Sequence, residues 1–230
     1  MNFLIRLVAV GAAALMAATA LAQDLQTDEQ KLGYIIGMDI GNSLRNEGTE
    51  VDLDALVDAL RTVYQGGVPK MTNEEAQAVR EAFIAERRAT AQAEASAISA
   101  KNQAKGQAFL AENAGKEGVQ TTDSGLQYKV VRMGDGARPV ADDVVEVHYR
   151  GTLLDGTEFD SSYARNESIS FELDRVIAGW TEGVQLMPVG SKFMFYIKPE
   201  LAYGAGGGGP IPPNSTLVFE VELLGIESGD

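Results

Sequence analysis

No cysteine occurs in the 230 residues. Disulfides, thiolate nucleophiles, cysteine-ligated zinc and a lipid-bearing N-terminal cysteine are therefore excluded. There is one histidine, His148, so a multi-histidine metal centre is excluded and any Ser–His–Asp arrangement would have to use that residue. Alternation through Val145–Tyr149 places His148 with Glu146 opposite Val145, Val147 and Tyr149, which predicts a surface strand residue. Basic residues are few: 19 Lys and Arg stand against 33 Asp and Glu, for a net charge of -14. Such a chain repels phosphate backbones and anionic lipid, so nucleic acid is not an expected partner, and the acidity reads as solubility. The Gly206–Gly209 run precedes Pro210, with no following lysine or helix start, so it is not a phosphate cradle and reads as a mobile loop. Neither a metal nor a cofactor is expected.

Long apolar runs are missing everywhere except at the start. Arg6 is followed by a small, apolar stretch from Leu7 and then by Ala20-Leu21-Ala22, an A-x-A site, and Gln23. This is the layout of a secretory signal peptide over residues 1–22. A retained anchor is the alternative, but the run is only just long enough to span and lacks strong flanks. The mature chain is expected to begin near Gln23, without an integral membrane segment after processing. In a bacterium with two membranes it would be periplasmic, with outer-membrane or surface association left open.

Residues 23–72 read as helical. Thr27-Asp28-Glu29-Gln30 forms a capping box, and Leu32, Ile35, Ile36, Ile40 and Leu44 recur at helical spacing until Gly48. A second helix starts near Asp52, carries Leu53, Leu56, Val57, Leu60, Val63 and Tyr64 on its apolar side, and ends at Gly66-Gly67 and Pro69. A third, over 73–115, opens with Thr72-Asn73-Glu74-Glu75 and is alanine-rich, with Gly106 its one interior glycine. From Ala89 to Ala108 the only large apolar residue is Ile98, which predicts a solvent-exposed rod. Two short helices and the first turns of a third make a thin core for one chain. A homodimer sharing that core, with the long helix as stalk, is expected, the alternative being a small helical cap on a monomer.

Residues 118–230 change period. Leu126–Arg132, Val144–Gly151, Ile169–Leu173, Phe193–Ile197 and Leu217–Leu223 read as strands, with Phe193–Ile197 apolar on both faces as a central strand would be. Asp155-Gly156 marks a turn. Ile177–Met187 is the one short helical stretch among them. The fold class is α+β: an all-helical N-terminal part and an antiparallel sheet with one helix to pack on it.

Seven collinear motifs now appear. They are Val147-His148-Tyr149-Arg150-Gly151, Asp155-Gly156 with Phe159-Asp160-Ser161-Ser162, Val176-Ile177-Ala178-Gly179-Trp180, Gly183-Val184, Met187-Pro188-Val189-Gly190, Leu201-Ala202-Tyr203-Gly204, and Ile211-Pro212-Pro213-Asn214-Ser215-Thr216-Leu217-Val218-Phe219. Together they resemble the FKBP-type peptidyl-prolyl cis–trans isomerases over residues 118–227, in that family's order and close to its spacing. The helical half resembles the dimerisation domain of the periplasmic, macrophage infectivity potentiator-like subgroup.

The resemblance implies a bent sheet wrapped around the short helix, with a hydrophobic pocket between them. Carried over by position, Tyr149, Asp160 and Tyr203 would be the catalytic residues. Phe159, Val176, Ile177, Trp180, Ile211 and Phe219 would bind substrate, with Trp180 as the floor and Tyr149, Phe159 and Phe219 as walls. Ile169 stands where human-type members often have phenylalanine, the Gly206–Gly209 loop lacks a histidine found in some members, and the segment from Leu173 to Val176 is slightly shorter. These departures bear on substrate preference and inhibitor affinity. The implied partners are unfolded or partly folded proteins with X–Pro bonds, macrolide inhibitors, and a second copy of the chain.

The residue types suit that reaction. Turning a peptide bond breaks amide resonance against a barrier of about 18–20 kcal/mol. Before proline the isomers differ by only about 0.5–1 kcal/mol, yet they exchange over tens of seconds or longer. No covalent bond is made, so no nucleophile, metal or proton shuttle is needed; the catalyst has to favour the twisted amide over the planar one. A dry aromatic cavity disfavours the more polar planar form. The Tyr203 hydroxyl and the Ile177 N–H are the expected donors to substrate carbonyls, and Asp160 is expected to accept from the Tyr149 hydroxyl or to steer a carbonyl. Two other readings remain: a holding chaperone acting through the dimer cleft, which can coexist with isomerisation, and a binding module that has lost catalysis.

Overall fold

The computed structural model describes residues 25–227, so the expected signal peptide lies outside the described residues. The chain divides into two compact units, one ending at Asn73 and the other beginning at Glu74.

The first unit holds helices α1 (Asp28–Asn46) and α2 (Leu53–Tyr64). Both starts follow their caps. Thr27 Oγ1 accepts from the Gln30 amide while Gln30 Oε1 accepts from the Thr27 amide, the reciprocal capping box read from sequence. Asp52 Oδ1 accepts from the Ala55 amide at 2.9 Å. Gly48 and Gly66, just past the helix ends, take positive φ as helix-stopping glycines do. Neither helix buries a single residue. Leu32, Ile35, Ile36, Leu53, Leu60 and Val63 all remain exposed.

The second unit contains α3 (Asn73–Asn113), whose 41 residues run about 60 Å at 1.5 Å per residue. The sheet follows: β1 (Val119–Thr121), β2 (Gln127–Arg132), β3 (Val144–Leu153), β4 (Glu158–Ser161), β5 (Ile169–Glu172), β6 (Lys192–Ile197) and β7 (Leu217–Glu227). All pairings are antiparallel, in the order β1-β2-β6-β7-β3-β4, and β5 continues the edge beside β3 at its start. One face is buried. It carries Val145, Val147 and Tyr149 from β3, Phe193, Phe195 and Ile197 from β6, and Leu217, Phe219, Val221 and Leu223 from β7. Cross-strand partners such as Phe195 and Phe219 come from this shared period of two. Strand β6 is central, as expected, but only alternate residues are fully buried; Lys192, Met194 and Tyr196 on its other face are half-buried.

Helix α5 (Ala178–Val184) packs on the buried face. Its Gly179 and Gly183, four residues apart, face the sheet. A Cβ on Gly179 would lie 2.5 Å from Ile197 Cγ2, and one on Gly183 2.7 Å from the Phe195 ring. The absence of side chains there lets the helix backbone rest on the core. Helix α5 is not the only helix of the region. A four-residue helix α4 (Ser162–Arg165), capped by Ser161, was not anticipated, since four residues show no period.

The opposite sheet face is polar. Glu222 takes Arg132 at 2.6 Å, Lys192 at 3.1 Å and the Tyr163 hydroxyl at 3.1 Å. Burial alone would raise the Glu222 carboxyl, but these hydrogen bonds outweigh it and hold the group below the usual carboxylate range. His148 lies on this face as the alternation required. It is half-buried rather than fully exposed, because its ring stacks on Tyr163 at 4.8 Å and its Nδ1 lies 3.0 Å from Ser162 Oγ.

The rod expected from Ala89 to Ala108 is corrected at its C-terminal end. Gly106 is buried, and a Cβ there would fall 2.3 Å from Thr216 Oγ1. Asn113 is buried as well, donating to Gln127 Oε1 at 2.9 Å, while Gln127 Nε2 donates to the Leu110 carbonyl at 2.8 Å. Gly106 and Asn113 make this contact through a missing side chain and a hydrogen bond, which the apolar pattern does not reveal, and Phe109 adds a ring contact to Tyr196 at 5.8 Å. Gly183→Ala is expected to lower the unfolding free energy by about 1–3 kcal/mol through overpacking, despite the better helix propensity of alanine. Urea denaturation, read as a lower midpoint at unchanged slope, checks it.

Candidate active site

Helix α5, strand β3 and strand β7 converge on Trp180. The indole is 5% exposed, and three aromatic rings surround it. Tyr149 stands edge-on at 5.3 Å and 86°, Phe219 edge-on at 5.2 Å and 82°, and Phe171 tilted at 5.3 Å. Phe159 meets Phe219 at 5.4 Å and 85°. Edge-to-face contacts of this kind are worth about 0.5–1.5 kcal/mol each beyond burial. Trp180 Nε1 is buried and finds no acceptor among the described residues, so the floor of the box presents no polar partner of its own.

A cavity of about 840 Å³ opens above these rings. All nine candidate residues line it: Tyr149, Phe159, Asp160, Val176, Ile177, Trp180, Tyr203, Ile211 and Phe219. Strand β3 supplies Tyr149, β4 supplies Phe159 and Asp160, β7 supplies Phe219, and the loop after β6 supplies Tyr203 and Ile211. Tyr203 is the most open of them at 44% exposed. The Ile177 amide, at the start of α5, donates to no acceptor among the described residues. Ile169 is at the mouth, as are Gly208 and Pro210.

Phe171 and Arg175 are among the lining residues outside the candidate set. Phe171 was recognised as lying on an apolar strand face, but strand alternation says which face a residue occupies and not which end of the sheet it reaches. Arg175 lies in the short turn between β5 and α5, where no period exists to read.

One polar group is built into the wall. The Tyr149 hydroxyl donates to Asp160 Oδ2. Arg165, from α4, donates through Nη1 to Asp160 Oδ1 at 2.5 Å and through Nη2 to the Tyr149 oxygen at 3.0 Å. Sequence reasoning missed Arg165, which belongs to no motif; its only signal was proximity to Asp160 in the chain. Burial raises the Tyr149 hydroxyl above the usual tyrosine value, and its bond to Asp160 adds to this. For Asp160, burial would raise the carboxyl, but the bonds from Tyr149 and Arg165 outweigh it and hold it below the ordinary range. Arg165 is raised, chiefly by its bond to Asp160. Across neutral pH the three therefore keep one arrangement: neutral tyrosine, carboxylate, guanidinium.

The sequence model described as FKBP-type peptidyl-prolyl cis-trans isomerase matches residues 136–224, and the model described as the domain amino terminal to it matches residues 29–130. The FKBP-type peptidyl-prolyl cis-trans isomerase FkpA of Aeromonas hydrophila is 48% identical over 217 residues, covering 91% of this chain and 81% of that one. This chain belongs to the FKBP-type peptidyl-prolyl cis–trans isomerase family. The outer membrane protein MIP of Legionella longbeachae is 41% identical over 213 residues, covering 92% of this chain and 91% of the other. The crystal structure of FkpA from Escherichia coli superposes with a TM-score of 0.73 at 40% identity, over 90% of this chain and all of that one. Both the helical N-terminal region and the antiparallel sheet are therefore features of this FKBP-type isomerase that its relatives share.

The Tyr149–Asp160–Arg165 group gives the isomerase a pH signature. Because the Asp160 carboxyl is lowered on folding, its stabilisation is present above the unfolded value of about 3.9 and is lost as pH falls through the lower folded value. Asp160→Asn is expected to flatten the loss of stability as pH falls below about 4 relative to the parent chain. Urea midpoints measured across that range test this, and identical acid profiles would contradict it.

Proposed function

We propose that X–Pro bonds of partly folded exported proteins turn in the aromatic cavity over Trp180. The observation that carries this reading is a solvent-open cavity whose floor is an almost fully buried indole with no polar partner of its own. A prolyl ring matches the walls in polarity, and the volume leaves room for the residues on either side of it. The planar amide is the more charge-separated form, so the apolar walls disfavour it relative to the twisted form. The Tyr203 hydroxyl and the free Ile177 amide hold substrate carbonyls at the rim. Each 1.4 kcal/mol removed from the barrier speeds exchange about tenfold. Asp160 does not shuttle a proton. Its two oxygens are occupied by Tyr149 and Arg165, and it fixes the Tyr149 ring as a wall.

Trp180→Leu is expected to lower kcat/KM by an order of magnitude or more, since the pocket floor is lost. Tyr203→Phe is expected to lower it by about fivefold, the worth of one hydrogen bond. The assay is refolding of a proline-limited client together with a tetrapeptide substrate. Unchanged rates in both variants, with the fold intact by circular dichroism, would contradict the assignment.

The helical unit supports a second element of the reading. Helices of 19 and 12 residues that bury nothing are marginal in water by themselves. A second copy offers the same apolar set of Leu32, Ile36, Leu53, Val57 and Leu60, and a two-fold interface is self-complementary. The reading is a homodimer held through residues 25–73. Apolar surface left over would hold unfolded client segments, giving chaperone activity beside isomerisation. Among the described residues no helix is long and apolar enough to cross a membrane. The apolar, A-x-A-ended start supports export to the periplasm. Sedimentation of the mature chain at micromolar concentration is expected to give twice the chain mass; a single monomeric species would end the dimer reading.

A further inference from the structure

The pocket wall at Tyr203–Ile211 is carried by a glycine-rich loop. Five of the six residues from 204 to 209 are glycine, the residue with most conformational freedom to lose. The loop has its own internal ties: Gly208 and Ile211 exchange two backbone hydrogen bonds at 2.9 Å, and the Asn214 amide donates to the Gly204 carbonyl at 3.0 Å. It is also fixed from outside, by helix α3. Asn214 Nδ2 donates to Ser99 Oγ at 2.7 Å. Asn102 Nδ2 donates to the Pro213 carbonyl at 2.9 Å. Gly106 admits the Thr216 side chain against the helix backbone. Ser99, Asn102 and Gly106 are spaced by three and four residues, so they form one stripe of α3, and that stripe grips residues 213–216 just beyond the loop. Asn214 also sits at positive φ, a conformation that asparagine tolerates better than most residues.

From this geometry we infer that Ser99 and Asn102 are positioning residues for isomerisation: through Asn214 and Pro213 they hold the loop that carries Tyr203 and Ile211. The end of α3 is then a working part of the isomerase site rather than a spacer. An unanchored glycine loop would sample many arrangements, and the Tyr203 hydroxyl would meet the substrate carbonyl in only a fraction of them. The inference rests on the cavity over Trp180 being the site of reaction.

The test uses the full mature chain with Ser99→Ala, Asn102→Ala and Asn214→Gly, the last keeping the positive-φ backbone while removing the side-chain bond. Each is expected to lower kcat/KM toward a tetrapeptide by about three- to tenfold, near the worth of one hydrogen bond. Ser99→Ala combined with Asn214→Gly is expected to cost no more than either alone, because both remove the same bond. The amide signals of Gly206–Gly209 should shift and broaden, while the Trp180 indole signal stays as in the parent chain and the thermal midpoint falls by no more than the few degrees that one hydrogen bond accounts for. A purely structural role would move the midpoint and leave kcat/KM unchanged. Unchanged kcat/KM in all three single variants overturns the inference. Trp180→Leu, run beside them, separates the two questions: a full loss there with no effect at Ser99, Asn102 and Asn214 sinks only the positioning role, whereas an active Trp180→Leu sinks the site itself.

Discussion

The indole of Trp180 lies where helix α5 meets the sheet, and three rings close around it at 5.2–5.3 Å. Each of those rings comes from a different strand. Tyr149 is carried by β3, Phe219 by β7 and Phe171 by β5, so the box forms only when those strands are in register. A slip of one residue in any of them would turn its ring to the opposite, polar face. The approach of α5 is equally specific. Gly179 and Gly183 bring the helix backbone down onto Ile197 and Phe195, which sets the depth of the indole below the cavity mouth. Pocket shape is thus a consequence of sheet register and helix height together, and the cavity inherits its apolar floor from both.

Against that apolar background the Tyr149–Asp160–Arg165 group is the conspicuous charge. A carboxylate in an apolar wall would ordinarily be costly. Here each oxygen accepts one hydrogen bond, the side chain remains 43% exposed, and the bonds outweigh the burial that would otherwise raise its pKa. A reaction that moves no proton has no use for a titrating acid near neutral pH. It can use a rigid ring. Asp160 and Arg165 together hold the Tyr149 hydroxyl from two sides, and the Arg165 guanidinium also lies 5.9 Å from the centre of the Tyr149 ring. The polar cluster is therefore best understood as a brace for an aromatic wall.

How much of this could be read from residues alone depended on period. Alternation identified Tyr149 and Phe219 as inward-facing, and motif order placed Trp180, Tyr203 and Ile211 near them. Arg165 was invisible because a four-residue helix has no period. Ser99, Asn102 and Gly106 were invisible for a different reason. Hydrophobic patterning detects apolar burial, whereas this stripe docks by two side-chain hydrogen bonds and one missing Cβ. The available signal was Gly106 itself, a helix-weakening residue alone in a long alanine-rich run, which costs about 1 kcal/mol relative to alanine unless something needs the space.

The two units answer the problem of burial in opposite ways. The sheet unit encloses Phe193, Phe195, Met187, Leu173 and Leu126 at 0–1% exposure, enough apolar volume to hold a shape without help. Helices α1 and α2 enclose nothing, although α2 in particular is well capped and amphipathic. Good caps and a clean apolar stripe, left uncovered, are what a surface kept for another molecule looks like. Misfolded helices would lack the caps, and a solvent-adapted pair would lack the stripe. The asymmetry is one of shape as well as burial: one unit encloses a cavity whose walls are fixed by sheet register, and the other leaves its apolar area uncovered.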